Sequence, residues 1–276
     1  MNESVPSLPA VLTFAATDPT SGAGLQADLL ALASMGCYPL SVVTALTVQD
    51  TAGVESFLAI DPDWVADQAR CILEDMPVAA FKMGMLGSTE IVTVVAEVVS
   101  DYPDVPLVLD PVFASGRGDE FAGEDMVSAI RELLVPQSTV VTPNIPELRR
   151  LAGEDDHDAN LAECAQALLD SGCEYVLVTG THDSTADVVN TLYHRGGVLR
   201  ADTWQRLPGS YHGSGCTLAS ALAANLARGL DIGDAVYAAP DYTWQALAHA
   251  FRPGMGQYLP DRLFWARESA EGNDGK

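Results

Sequence analysis

Lysine is almost missing from this chain. Only Lys82 and Lys276 carry it among 276 residues, and all basic residues number 14 against 38 acidic ones. The resulting net charge of −24 repels nucleic acid and anionic lipid, so neither is expected as a partner. Such an acidic, lysine-poor surface suits a protein working in concentrated salt. Cysteine is scarce as well: Cys37, Cys71, Cys164, Cys173 and Cys216 are odd in number and form no CxxC pair. That argues against a disulfide framework or a zinc site and favours a reducing compartment. No apolar run approaches the roughly 20 residues of a membrane span. The first residues lack the basic start and apolar core of a signal peptide, so a cytoplasmic protein is expected. Repeats and internal linkers are lacking too.

What is present is a compact composition, 48% hydrophobic and 19% charged. Short apolar strands are expected at 10–15, 41–48, 79–83, 106–109, 139–142 and 175–179. Helices are expected at about 25–35, 61–73, 89–99, 124–134, from 146 and at 159–171. Strands without polar alternation, separated by helices, are the pattern of a buried parallel sheet covered on both faces. Residues 188–193 and 198–204, joined through Arg195-Gly196-Gly197, read instead as an antiparallel hairpin. The chain reads as one α/β domain over 10–266, with a tail at 1–9 and a polar, disordered tail at 267–276.

The chemistry concentrates in Gly209-Ser210-Tyr211-His212-Gly213-Ser214-Gly215-Cys216-Thr217-Leu218, a glycine-rich loop running into an alanine-rich helix. Such a junction leaves unpaired amides at the positive end of a helix dipole, an anion site. Cys216 falls in the first turn, where the same field favours a thiolate. In open α/β sheets ligands collect at the carboxyl ends of the strands. Those ends carry Asp18, Gln49, Lys82, Asp110, Asn144 and Gly180. Each has a plain reading as a turn former, a cap or an ion-pair partner, and for Lys82 pairing with a carboxylate stands level with catalysis. Beside a phosphate loop, the set suggests a pocket for a small polar molecule and a metal-bound phosphate.

The motifs Ala16-Thr17-Asp18-Pro19-Thr20-Ser21-Gly22-Ala23-Gly24-Leu25-Gln26-Ala27-Asp28, residues 44–51, Lys82-Met83-Gly84-Met85-Leu86, Leu109-Asp110-Pro111-Val112, Thr142-Pro143-Asn144-Ile145-Pro146-Glu147 and residues 212–218 occur in that order. With them the chain resembles, from about residue 11 to 265, the hydroxymethylpyrimidine/phosphomethylpyrimidine kinases of thiamine biosynthesis. These are ribokinase-like proteins, which implies a three-layer α/β/α fold with a mostly parallel sheet. The resemblance implies two successive phosphorylations of 4-amino-5-hydroxymethyl-2-methylpyrimidine with ATP and Mg²⁺, and a possible homodimer. It places Gln49, Asp18, Gly22, Ala23, Met85 and Val112 around the pyrimidine. Gly213, Ser214 and Gly215 form the anion hole, with Cys216 where sugar kinases of the superfamily carry an aspartate base. Asn144, Glu147 and Asp110 organise magnesium, and Asp110, Asn144, Thr179, Gly180, His212 and Lys82 lie about the phosphates. A Cys216 base would serve the first step, whose nucleophile is a hydroxyl, more than the second.

The chain departs from the family pattern in two places. Ala16, Thr20 and Ser21 narrow the substrate loop, and Thr179-Gly180-Thr181-His182 stands where many relatives have Lys-Gly-Gly-His. The missing lysine leaves Lys82, Arg117 or helix-end amides to hold the nucleotide phosphates. Alternatives are a pyridoxal kinase, a non-catalytic pyrimidine-binding protein and, more remotely, a thiol hydrolase using Cys216 and His212.

Overall fold

The computed structural model describes residues 8–114, 118, 120–154, 156, 159–180 and 186–271. Among them an eight-stranded sheet forms the centre. Its strands are β1 (Ala10–Ala15), β2 (Tyr38–Val43), β5 (Ala80–Met83), β6 (Leu107–Leu109), β7 (Val140–Val141), β8 (Tyr175–Val178), β9 (Asp187–His194) and β10 (Gly197–Gln205), in the order β10-β9-β8-β7-β6-β5-β1-β2. From β2 to β8 all pairings are parallel, and β9 and β10 close the edge as the expected antiparallel hairpin.

The helices are α1 (Gly24–Ser34), α2 (Pro62–Asp75), α3 (Thr89–Ser100), α4 (Glu124–Ala129), α5 (Ile145–Ala152), α6 (Leu161–Ser171), α7 (Ser214–Ala227), α8 (Ile232–Ala248) and α9 (Phe264–Glu271). A π-helical turn continues α4 to Leu134. Because strand side chains alternate between faces, each central strand feeds two cores. Leu12, Phe14, Phe81, Met83, Leu107 and Leu109 join the larger core, beneath α2 to α6. Val11, Ala80 and Val108 join the second, against α7 and α8. Thr13 and Lys82 share the parity of this second set, and the register sets them side by side on β1 and β5. Asp110 continues the parity of Val108. The polar groups of β1, β5 and β6 therefore share the α1/α7 face.

Two expectations are corrected. The strand expected at 41–48 is split at Thr44: β2 stays in the main sheet, while β3 (Ala45–Gln49) leaves it to pair with β4 (Val54–Ala59) in a separate antiparallel ribbon. The Thr44 amide donates to Ala15 O (3.1 Å), its hydroxyl to Met85 O (2.6 Å), and its carbonyl accepts from Ile60 N (2.8 Å). Those long-range bonds fix the break. Secondly, α9 runs to Glu271, inside the tail expected to be disordered from 267. Among the described residues no helix is long and apolar enough to cross a membrane.

Candidate active site

Helix α7 packs along β1, β5 and β6, and its first turn meets the loops that follow β1 and β6. Gly213 is its N-cap at φ +81, a left-handed conformation, and a β-carbon there would strike the Gly22 carbonyl oxygen. Glycine is thus required twice over, for the turn and for the close approach. The Gly213 carbonyl accepts the first helical bond from Thr217 N (3.0 Å). The amides of Ser214, Gly215 and Cys216 donate to no group among the described residues. These free amides stand where the anion site is expected, and Gly215 looks onto Asp110, with 3.8 Å from its β-carbon position to Oδ1.

The loop 18–24 is folded around Asp18, which is fully buried. Its carboxylate accepts from Thr20 N (2.8 Å), Thr20 Oγ1 (2.8 Å) and Ala23 N (2.7 Å), and meets His212 Nε2 at 2.8 Å. Burial alone would raise its pKa, but the His212 hydrogen bond and the two amides hold it below the ordinary value. Asp18 and His212, expected at pyrimidine and phosphate, are thus turned onto each other and onto the loop. Ser21 takes a positive φ of 61 within this loop.

Met85, expected on the pyrimidine, is buried with Ala16 and Ala45, and Val112 and Phe121 pack against the cluster. This small apolar wall unites Met85 with Val112. At the end of β3, Gln49 donates to Thr47 Oγ1 (2.8 Å), while Thr47 Oγ1 donates to Thr17 O (2.7 Å), which ties the ribbon to the start of the 18–24 loop. Gly22 and Ala23 lie in that loop itself.

Lys82 is the clearest change of role. It is wholly buried, with its ammonium donating to both Asp28 oxygens at 2.9 and 3.0 Å and standing 3.7 Å from Asp110 Oδ2, an ion-pair distance too long for a hydrogen bond. Burial disfavours the charge, yet Asp28, with Cys216 and Asp110, outweighs it and raises the pKa. Expected about the phosphates, Lys82 is turned onto Asp28 and lies within ion-pair distance of Asp110. Asp28 was not singled out in the sequence; it also accepts from Thr13 Oγ1 (2.8 Å) and Ser220 Oγ (2.7 Å). Its signal was a carboxylate in the apolar helix Leu25-Gln26-Ala27-Asp28-Leu29-Leu30.

On the other side of Asp110 stands the N-terminus of α5. Asn144 caps it, accepting from Glu147 N (2.9 Å), while Glu147 Oε2 accepts from Asn144 N (2.9 Å), a reciprocal capping box. Burial, then repulsion from Asp110, pushes the Glu147 carboxyl up to about 8. Burial also raises Asp110, with Asp28 adding and Lys82 opposing. Asp110 Oδ2 is buried without a hydrogen-bond partner. Two desolvated, mutually repelling carboxylates and an orphaned oxygen fit a hard divalent cation that keeps most of its ligands as water and phosphate. No cluster of three His, Cys, Asp or Glu side chains placed to hold a metal ion occurs among the described residues.

Burial pushes the Cys216 thiol up to about 12, with Asp110 and Asp28 adding and Lys82 opposing. The thiolate expected from the helix dipole is therefore disfavoured: burial first, and then the Asp110 and Asp28 carboxylates, oppose the first-turn field. Thr179 and Gly180 continue β8, with Thr179 N on Pro143 O (3.0 Å) and Gly180 N on Asn190 Oδ1 (3.3 Å). Arg117, Thr181 and His182 lie outside the described residues.

Residues 18–261 match the family model described as phosphomethylpyrimidine kinase. The hydroxymethylpyrimidine/phosphomethylpyrimidine kinase of Escherichia coli is 38% identical over 241 residues, covering 87% of this chain and 91% of that protein. Its Mycobacterium bovis counterpart is 39% identical over 259 residues, covering 93% and 94%. Among solved structures, the Staphylococcus aureus pyridoxal kinase in complex with ADP superposes with a TM-score of 0.86 at 28% identity, covering 95% of this chain and 96% of that one. The phosphomethylpyrimidine kinase of Clostridium difficile 630 gives 0.75 at 31%, covering 87% and 99%. Free amides at a helix start facing paired carboxylates suit a phosphotransferase, and with these matches the chain belongs to the phosphomethylpyrimidine kinase family, enzymes of ribokinase-like fold.

Proposed function

We propose that the protein transfers phosphoryl groups from ATP, first to 4-amino-5-hydroxymethyl-2-methylpyrimidine and then to its monophosphate. The observation that carries this reading is the first turn of α7: three free amides opposite Asp110 and next to the loop 18–24. Phosphoryl transfer is catalysed chiefly by positioning and charge stabilisation, and this arrangement supplies both. The pyrimidine would lie between the loop backbone at Gly22 and Ala23 and the Met85/Val112 wall, with Gln49 at its edge. The amides of Ser214, Gly215 and Cys216 would receive charge on the transferred group. Asp110, Glu147 and Asn144 would hold Mg²⁺, which offsets phosphate charge when bound. Thr179 and Gly180 border the phosphates' side of the rim, and Lys82 acts there only through Asp110.

With its thiol neutral, Cys216 serves as a member of the anion hole rather than as a base. Cys216→Ala, which keeps the backbone amide, is therefore expected to slow neither phosphorylation selectively. A loss confined to the first step would restore the base role.

A second reading, pyridoxal phosphorylation, is favoured by the close superposition on pyridoxal kinases. One experiment separates the two: mass detection of products from hydroxymethylpyrimidine and, in parallel, pyridoxal, each with ATP and Mg²⁺. Monophosphate followed by diphosphate supports the proposal. Reaction of pyridoxal alone moves the assignment, and binding without ADP release leaves a pyrimidine-binding protein. The reading includes a homodimer, which the exposed Leu46, Val48 and Leu58 of the β3–β4 ribbon support; sedimentation tests it.

A further inference from the structure

Arg262 lies one residue beyond the stretch matched by the family model, and none of the motifs above contains it. It is 3% exposed, yet among the described residues none of its hydrogen-bond partners is a carboxylate. Nε donates to Thr217 Oγ1 (3.1 Å), Nη1 to Ser21 O (3.1 Å), and Nη2 to Gly22 O (2.6 Å) and, at 3.5 Å, to Gly213 O. Its own backbone is anchored from two helices, the carbonyl accepting from Ser34 Oγ (2.6 Å) and Tyr242 Oη (2.8 Å). A buried guanidinium spent on neutral oxygens is costly, and what it gains here is geometry: a planar fork that fixes several acceptors at once.

The acceptors belong to the two segments that meet at the site. In a trans peptide the carbonyl and the following amide point in opposite directions. Gripping Gly22 O from one side turns the Ala23 amide to the other, where it donates to Asp18. Gripping Thr217 Oγ1, which itself donates to Gly213 O (2.7 Å), holds the α7 N-cap with its free amides outward. Asp18 thus holds the loop 18–24 from one side and Arg262 from the other; Asp18 reaches His212 just before the α7 N-cap, whereas Arg262 reaches Gly213 and Thr217 of the first turn itself.

We propose that Arg262 is a positioning residue that locks the acceptor-binding loop to the anion-binding turn, so that nucleophile and transferred phosphoryl group stay in line. The catalytic half of this inference rests on the function proposed above. Misalignment of about 1 Å costs on the order of 100-fold in rate, so Arg262→Gln and Arg262→Lys are expected to lower kcat about 10–100-fold. The KM for ATP should stay within about threefold, because the grip bears on alignment more than on nucleotide affinity. Lysine retains the charge but not the fork, so it should not rescue. Hydrogen exchange should quicken in 18–24 and 213–217 together, and not in Leu107–Leu109. Wild-type kcat in Arg262→Lys, or activity lost only in proportion to unfolded protein, overturns the proposal. Unchanged exchange in both segments overturns it whatever the wild type phosphorylates. Failure of the wild type to phosphorylate the pyrimidine instead overturns the substrate assignment, and the exchange result still decides the role of Arg262.

Discussion

Replacing Glu147 by Gln should make the metal-free protein more stable, and increasingly so as the pH rises from 6 to 8. The ordinary carboxyl value of 4.5 holds in the unfolded chain, whereas burial and Asp110 lift the folded value to about 8. Between those values the folded protein binds the extra proton, so stability falls as the pH rises and levels off above about 8. The slope is about 1.4 kcal/mol per pH unit well below pH 8 and falls to about half that at pH 8, which over pH 6 to 8 gives an upper bound of roughly 2 kcal/mol. Partial access of water to the carboxyl brings the expected change to about 1–2 kcal/mol. Glutamine keeps the volume, and its carbonyl can still accept from Asn144 N, so the cap survives while the titration is gone. Urea unfolding of both proteins at several pH values in the presence of a chelator measures the gap. A gap that stays constant from pH 6 to 8 would refute the reasoning. Saturating Mg²⁺, which favours the ionised carboxylate, should flatten the wild-type curve.

Lys82→Met leaves Asp28 fully buried without its cation, and breaking such a pair costs about 3–5 kcal/mol, readable in the urea midpoint. A stability within 1 kcal/mol of wild type, estimated on the same scale, would mean that the pair is not what holds Asp28. Cys216, with its thiol near 12, should react with iodoacetamide far more slowly at pH 8 than the exposed Cys71. Peptide mass mapping of the labelled protein decides, and preferential labelling of Cys216 would show a thiolate there after all.

The alternating strands, the hairpin at the sheet edge and the strand-end positions were legible because each rests on local chemistry: apolar runs, glycine turns and caps. The break at Thr44 was not, since no glycine or proline marks it and its cause is hydrogen bonding to Ala15, Met85 and Ile60. Lys82 was ambiguous for a related reason. Its partner Asp28 lies 54 residues away, and only the register of β1 on β5 and the packing of α1 bring them together. Arg262 was hidden more fully, because Asp261-Arg262 before an apolar helix start reads as an exposed charge pair. The Cys216 thiolate failed differently. The helix-end field is legible in the local sequence, but the burial and the Asp110 and Asp28 carboxylates that oppose it come from segments far along the chain.

Those carboxylates also bear on how so acidic a protein holds a nucleotide. Around the first turn of α7 stand Asp28, Asp110 and Glu147 against Lys82 and Arg262, and Lys82 is already matched by Asp28. On the proposed reading, phosphates there would meet Asp110 and Glu147 at close range, where like charges about 4 Å apart repel by up to roughly 4 kcal/mol at an effective dielectric of 20. The sign of the pH dependence should therefore turn on the metal. Without Mg²⁺, protonating Glu147 removes repulsion, so ATP should bind more tightly at pH 6.5 than at pH 9, by about tenfold if one such charge counts for 1.4 kcal/mol. With Mg²⁺, the proton competes with the ion for the same carboxylate, so binding should tighten as the pH rises through 8. Titration calorimetry at the two pH values, with and without the metal, gives four affinities. If both series move in the same direction, Glu147 is not the group shared by proton and metal, and its buried carboxyl serves α5 alone.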